Sequence, residues 1–193
     1  RQVYFSLVGG ALLDRPWIAG LLQIAALLVT YVAVWRTARR AFDARVATAI
    51  GKYWVCKRAP GFVNEAQECL GGAGYVEESM LPRLYRQAPL NSIWEGSGNI
   101  QCLDTLRALQ REPATLTALR VECAAAQGLH PDFDAMHAAT MLELERTLLA
   151  DADTAQTMAR TLVERLALVL QAAALLRGYS PLADMFCRSR LGG

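Results

Sequence analysis

The sequence predicts an all-α fold, a bundle of long helices followed by further helices. Apolar residues recur at helical spacing between clear stops, and no run alternates apolar and polar residues as a half-buried strand does. Glycine or proline marks most of the boundaries. Of the 193 residues, 53% are hydrophobic and 20% charged, which provides enough apolar side chain for a packed core and excludes a disordered chain.

The first long helix is expected from about Arg15 to about Ala44. Its stretch from Trp17 to Trp35 holds no charged residue, is about long enough to cross a bilayer, and is followed by Arg36, Arg39 and Arg40. Hydropathy alone leaves two readings open, a membrane helix or a helix buried on all sides in a bundle or subunit interface. A second helix is expected from Arg45 to Leu70, with Pro60-Gly61 as a kink or break. Gly71-Gly72-Ala73-Gly74 stops it, because glycine tolerates the left-handed conformation that a helix end requires.

Tyr75 to Ile93, with Pro82 and Pro89, reads as irregular. Ser97 is a candidate N-cap for a helix ending near Arg111. Pro113 and Gly128 bracket the next helix, and Pro131 opens another that ends near Leu149. A long one follows from Asp153 to Gly178. Ser180-Pro181 offers a cap and first turn for the last. Met136, Met141, Met158 and Met185 are expected to fill the core.

The formal net charge of +2 is too small to imply a nucleic-acid partner by itself. Cys56, Cys69, Cys102, Cys123 and Cys187 are odd in number and lack C-x-x-C spacing. They read as buried free thiols of a reducing compartment, the cytoplasm. His130 and His137 have no cysteine at ligand spacing, so no metal site is predicted, and both read as surface or capping residues. The chain begins at Arg1 without methionine or signal-peptide pattern, as a truncated start would.

The segment from Cys56 to Leu109 carries the chemistry. Glu95 stands just before a new helix, in Ile93-Trp94-Glu95-Gly96-Ser97-Gly98-Asn99. Glycines on both sides of Ser97 would let a ligand approach the backbone, and the helix start offers free N–H donors. Apolar surroundings would raise the Glu95 pKa and make it a stronger base. From the residues alone, a carboxylate that merely complements the helix dipole is the favoured reading, because acidic residues are common at helix starts. Asp104 and Arg107, three apart on that helix, are expected to pair.

Two motifs, Glu68-Cys69-Leu70-Gly71-Gly72-Ala73-Gly74-Tyr75 and Trp94-Glu95-Gly96-Ser97-Gly98-Asn99-Ile100-Gln101, resemble in wording, order and separation the C-terminal domain of the acyl-CoA dehydrogenase family. The wording from Cys56 to Ile100 is most similar to the DNA-alkylation-response branch. The resemblance is specific over about Arg45 to Leu109 and weaker from Leu12 to Ala44. It implies two regions: residues 1–111 as the family's four-helix-type domain, and residues 112–193 as an additional helical region packed on it.

That family removes the α-proton of an acyl-CoA thioester with a glutamate while FAD takes the β-hydride. The matching position here is Glu95. Ser97 and Asn99 match residues, usually threonine and glutamine, that touch the flavin nucleotide. Trp94 matches an aromatic beside the flavin ring. Gly71 and Gly72 match a double glycine that passes close to the cofactor of a neighbouring subunit. Glu68 stands where glutamine is more common, and a carboxylate accepts hydrogen bonds but cannot donate them. Arg1 is the candidate for an arginine that holds the cofactor diphosphate. The resemblance also implies an N-terminal helical domain and a central β-domain ahead of Arg1, a homo-oligomer built on the apolar helices, and protein rather than lipid around Trp17–Trp35. Without those domains the chain is expected to be inactive alone and to expose apolar surface.

Two other function classes stay open. The alkylation-response branch is associated with DNA, and basic residues are available at Arg36, Arg39, Arg40, Arg45, Lys52, Lys57, Arg58, Arg160, Arg165, Arg177, Arg188 and Arg190. Acids such as Asp151, Asp153 and Glu164 share a helix with several of these, which favours local charge pairs. A helical oligomerisation scaffold is the other class.

Overall fold

The computed structural model describes residues 44–192. Arg1 and the uncharged Trp17–Trp35 stretch lie outside the described residues. Among the described residues every regular element is helical. In chain order they are α1 (Ala44–Leu70), α2 (Gly72–Tyr75), α3 (Leu81–Gln87), a 3-10 turn (Ala88–Ser92), α4 (Gly98–Arg111), α5 (Pro113–Ala124), α6 (Pro131–Leu149), α7 (Ala152–Arg177) and α8 (Ala183–Arg190).

Helical spacing sets the packing. On α1, Val46, Ile50 and Tyr53 are buried at intervals of four and three, and on α4 Cys102, Leu106 and Leu109 follow the same rule. These stripes bring α1 and α4 together. Helix α7 packs against α1, α4, α5, α6 and α8. It buries ten residues, from Ala155 to Ala173, as a spine touched on several sides must. The apolar cluster is continuous from Val46 to Leu191.

Among the described residues, which leave out nearly all of the expected Arg15–Ala44 helix, the expected elements recur with three main differences. Tyr75–Ile93 is irregular only at 76–80 and at Ile93, since it also contains α2's last residue, α3 and the 3-10 turn. Pro82 and Pro89 sit in the first turn of α3 and of the 3-10 helix, where a missing N–H costs nothing, so they start elements rather than prevent them. Helix α1 runs unbroken through Pro60. The last helix begins at Ala183, and Ser180 accepts from the Leu182 N–H at 3.3 Å in the turn before it rather than capping the helix.

His130 caps α6 as expected, its Nδ1 accepting from the Asp132 N–H at 3.2 Å. His137 is not a surface residue: it is 6% exposed, stacks on Phe133, and lies 3.2 Å through Nδ1 from Gln127 Nε2. Its Nε2 is buried with no hydrogen-bond partner. Burial holds its pKa below the ordinary 6.5, partly opposed by Asp134. The unfolded chain therefore binds a proton before the folded one does. Stability from this group is full above that ordinary value and is lost as pH falls from it toward the folded pKa. Chemical denaturation at about pH 7 and about pH 5 should show His137→Gln losing less stability on acidification than wild type; equal losses would remove His137 as the cause.

Of the cysteines, Cys102, Cys123 and Cys187 are buried, Cys56 is half-buried, and Cys69 is exposed, against the expectation of buried thiols throughout. Burial pushes the Cys102 and Cys123 thiols up to about 12, which leaves them inert. Met136 and Met141 pack on the core, whereas Met185 is 42% exposed.

Candidate functional site at the start of α4

The 3-10 turn crosses α1 and delivers the chain to Glu95. Backbone bonds from Ile93 and Trp94 N–H to the Leu90 carbonyl, at 2.9 and 3.1 Å, close that turn. Glu95 then adopts φ 53°, the left-handed region, and Gly96 follows at φ 98°. For a residue with a Cβ this conformation is strained and must be held by its surroundings. Two side chains hold it. Lys52 on α1 donates to the Trp94 carbonyl and to the Glu95 carbonyl, the latter at 2.6 Å. Gln101 on α4 donates to the Glu95 carbonyl at 3.0 Å and to that of Gly96 at 3.5 Å.

The glycines beside Ser97 serve the fold. Gly96 takes a positive φ, and a Cβ there would also lie 2.4 Å from the Gln101 amide nitrogen. Gly98 is buried where α4 meets α1: a Cβ would lie 2.6 Å from Lys57 Cε and 3.3 Å from the Tyr53 ring. Neither is the open backbone for a ligand that the spacing suggested. Ser97 occupies the N-cap position, as expected, at φ −63° and ψ 165°, but its hydroxyl makes no cap bond. Asn99 is exposed in the first turn. Asp104 and Arg107 pair at 3.7 Å, as expected.

The Glu95 side chain is exposed, and so are its neighbours Ile93 and Trp94, at 62% and 66%. The apolar surround expected for this carboxylate is therefore not closed by the described residues. Tyr75, Val76, Met80 and Ile100 are exposed as well, so apolar surface is concentrated in the segment that carries the two motifs.

The glycine motif lies elsewhere. Gly71 ends α1 at φ 57°, and Gly74 is buried against the Gln67 carbonyl. Gly72 is exposed, and a Cβ added to it would meet nothing within 4 Å. Glu68 is exposed and accepts from Asn64 Nδ2 at 2.8 Å, one turn earlier. Lys52 touches the Glu95 turn, while Leu70 is the end of the same helix, 18 residues on. At 1.5 Å per residue that is about 27 Å. The two motifs thus sit far apart on one chain.

Four of the later arginines are engaged in pairs. Arg160 meets Glu164 at 3.5 Å, Arg165 meets Glu143 at 2.5 Å, Arg177 meets Glu122 at 2.6 Å, and Arg188 meets Asp184 at 3.0 Å. Two of these pairs cross between helices instead of lying within one. Asp151 is used as the N-cap of α7. Arg160 also donates to the Tyr53 hydroxyl, which in turn donates to Glu164. Burial, then that carboxylate, pushes the Tyr53 pKa up to about 12. Arg58 lies 3.0 Å over the Trp54 ring, with burial and the Arg190 charge lowering its pKa.

Sequence reasoning missed Lys52 and Gln101 as parts of this site. Lys52 is 43 residues from Glu95, and no local pattern links a lysine in mid-helix to a turn that distant. Gln101 stands inside the motif, six residues past Glu95, and its spacing was the available signal.

The family model for the acyl-CoA dehydrogenase C-terminal domain matches residues 9–110. AidB of Escherichia coli (strain K12) is 38% identical over 170 residues, covering 86% of this chain and 30% of its own length, in keeping with the alkylation-response resemblance. Acyl-CoA dehydrogenase family member 11 of Caenorhabditis elegans is 41% identical over 80 residues, covering 40% of this chain and 13% of its own. Caenorhabditis elegans ACDH-11, solved in complex with C11-CoA, superposes with a TM-score of 0.62 at 23% identity over 86% of this chain and 33% of that one, which shows the shared fold. This chain therefore spans less than a third of its E. coli relative. Among the described residues no helix is long and apolar enough to cross a membrane, and Trp17–Trp35 is not among them. With the family model matching over half the chain and the fold in agreement, this chain belongs to the acyl-CoA dehydrogenase family.

Proposed function

We propose that the protein to which this chain belongs is an FAD-dependent acyl-CoA dehydrogenase, with Glu95 as the base that takes the substrate's α-proton. The observation that carries this reading is the Glu95 turn: an exposed carboxylate on a strained residue, gripped from two helices. Strain of this kind persists where the surrounding structure over-determines it, and it clusters at functional sites. A helix-dipole role has less support, because Glu95 lies outside the first turn of α4, which holds no acidic residue.

The residues present suit a flavin. Trp94 offers an exposed aromatic face, Ser97 a hydroxyl not spent on capping, and Asn99 an exposed amide. FAD, when bound, supplies the acceptor for the β-hydride. Substrate and the rest of the protein would cover Ile93 and Trp94, removing water from around Glu95 and strengthening it as a base. Glu95 then accepts the α-proton as the β-hydride leaves. The two motifs, about 27 Å apart along α1, fit a homo-oligomer in which Gly71 and Gly72 approach a neighbouring subunit's cofactor. Arg1 is the proposed diphosphate contact. Residues 112–193 form the additional helical region on the family domain of residues 1–111. The free thiols of the described residues suit a reducing compartment, the cytoplasm.

The test is anaerobic mixing of the full-length protein with a panel of acyl-CoAs, following bleaching of the oxidised flavin band. Bleaching by one member supports the reading, and bound flavin that none reduces overturns it. Gly72 supplies a separate check. Gly72→Ala should leave thermal stability within about 0.5 kcal/mol, since its Cβ meets open space, yet weaken FAD retention. Unchanged flavin dissociation would remove Gly72 from the cofactor site.

A further inference from the structure

Lys52 grips the Glu95 turn in a way that bears on the direction of the carboxylate. The Trp94 carbonyl belongs to the peptide plane before the Glu95 α-carbon, and the Glu95 carbonyl to the plane after it. One ammonium donates to both. These two planes define φ and ψ at Glu95, and together they set the direction of its Cα–Cβ bond. A lysine suits the task, because its ammonium carries three rotatable donors, so two converging carbonyls are satisfied at once by charge-assisted bonds. Rotation of Glu95 out of its left-handed conformation, φ 53°, would reorient the plane on one side and break the pair of contacts. Gln101 reinforces the second plane from α4. The Lys52 contacts run from mid-α1 to a turn 43 residues later, so the packing of α1 on α4 is transmitted directly to the turn.

We propose that Lys52 is a positioning residue for the Glu95 carboxylate, fixing both peptide planes around it so that the base points at the substrate without being assembled by substrate binding. The proposal rests on the reading of Glu95 as the base. It adds a residue that touches neither substrate nor cofactor in that reading and acts through the main chain alone. Its loss is expected to lower the rate of proton abstraction while leaving substrate affinity in place, since misplacement of a reacting group acts mainly on the chemical step.

The experiment compares wild type, Lys52→Met, Lys52→Arg and Glu95→Gln in the full-length, FAD-loaded protein. Flavin reduction under single-turnover conditions should fall by about 10- to 100-fold in Lys52→Met, with the acyl-CoA Kd changed by less than about threefold and flavin content unchanged. Lys52→Arg, which keeps a cation and several donors, should recover at least part of the rate. Without substrate, a glutamyl endopeptidase should cut after Glu95 about tenfold faster in Lys52→Met, because the turn opens more often. If Lys52→Met does not fold, Lys52→Arg carries the test, and a wild-type rate together with faster cleavage after Glu95 overturns the link between grip and rate. Wild-type reduction and cleavage in Lys52→Met, with Glu95→Gln inactive, overturn the positioning role alone. Full reduction by Glu95→Gln overturns the base reading, and the positioning role falls with it.

Discussion

Replacing Glu95 by glutamine in the full-length protein is expected to slow acyl-CoA-driven flavin reduction by about 10²- to 10⁴-fold, the usual contribution of a positioned general base. The amide has the carboxylate's size but cannot take a proton. The fold should be indifferent to the change. Glu95's side chain is exposed, and both helices hold its turn through main-chain carbonyls that glutamine keeps. FAD content, melting temperature and acyl-CoA affinity should therefore match wild type. A variant that bleaches its flavin at the wild-type rate would remove Glu95 from the chemistry.

Leu166→Ala should produce the largest loss of stability. Leu166 is 0% exposed on α7, the helix that meets α1, α4, α5, α6 and α8. Truncation removes buried methyl groups and leaves a cavity that five neighbours, each fixed by its own packing, can close only in part. The cost is about 3 kcal/mol, lowering the melting temperature of a unit of this size by about 10 °C. Because the apolar cluster is continuous from Val46 to Leu191, the loss should appear as one shifted transition. Two transitions, with only one displaced by the substitution, would show that residues 112–193 unfold independently of the preceding helices. A shift below about 1 kcal/mol would mean that α7 is not the spine its burial indicates.

Most of the helical layout was legible because it rests on local rules. Period, caps and breakers set α1, α4, α6 and α7 to within a residue or two of the expected ends, while α5 stops at Ala124, short of the bracketing Gly128. The misses have local causes as well. Pro82 and Pro89 suggest breaks in Tyr75–Ile93, although at the first turn of a helix a missing N–H costs nothing. Ser180-Pro181 has the pattern of a helix cap, but the Ser180 hydroxyl bonds the turn before the helix. The sequence suggests a surface or capping place for His137, since one polar residue on a helix face does not reveal that the face packs against the core.

The sequence by itself determined the all-α class, the boundaries of most of the long described helices, and the two motifs that name Glu95, Trp94, Ser97, Asn99, Gly71, Gly72 and Glu68. These follow from spacing and residue type along a single stretch of chain. Only the tertiary structure decided what holds Glu95 in its left-handed conformation, that Gly98 serves a helix crossing, that the exposed carboxylate is not enclosed by the described residues, and that the Glu95 turn meets α1 at Lys52, 18 residues before that helix ends at the glycine motif. Each of these depends on how α1 lies across α4 and its preceding turn. Contacts between residues some 43 positions apart arise from packing of whole helices, and helix packing is a property of surfaces that no local pattern encodes.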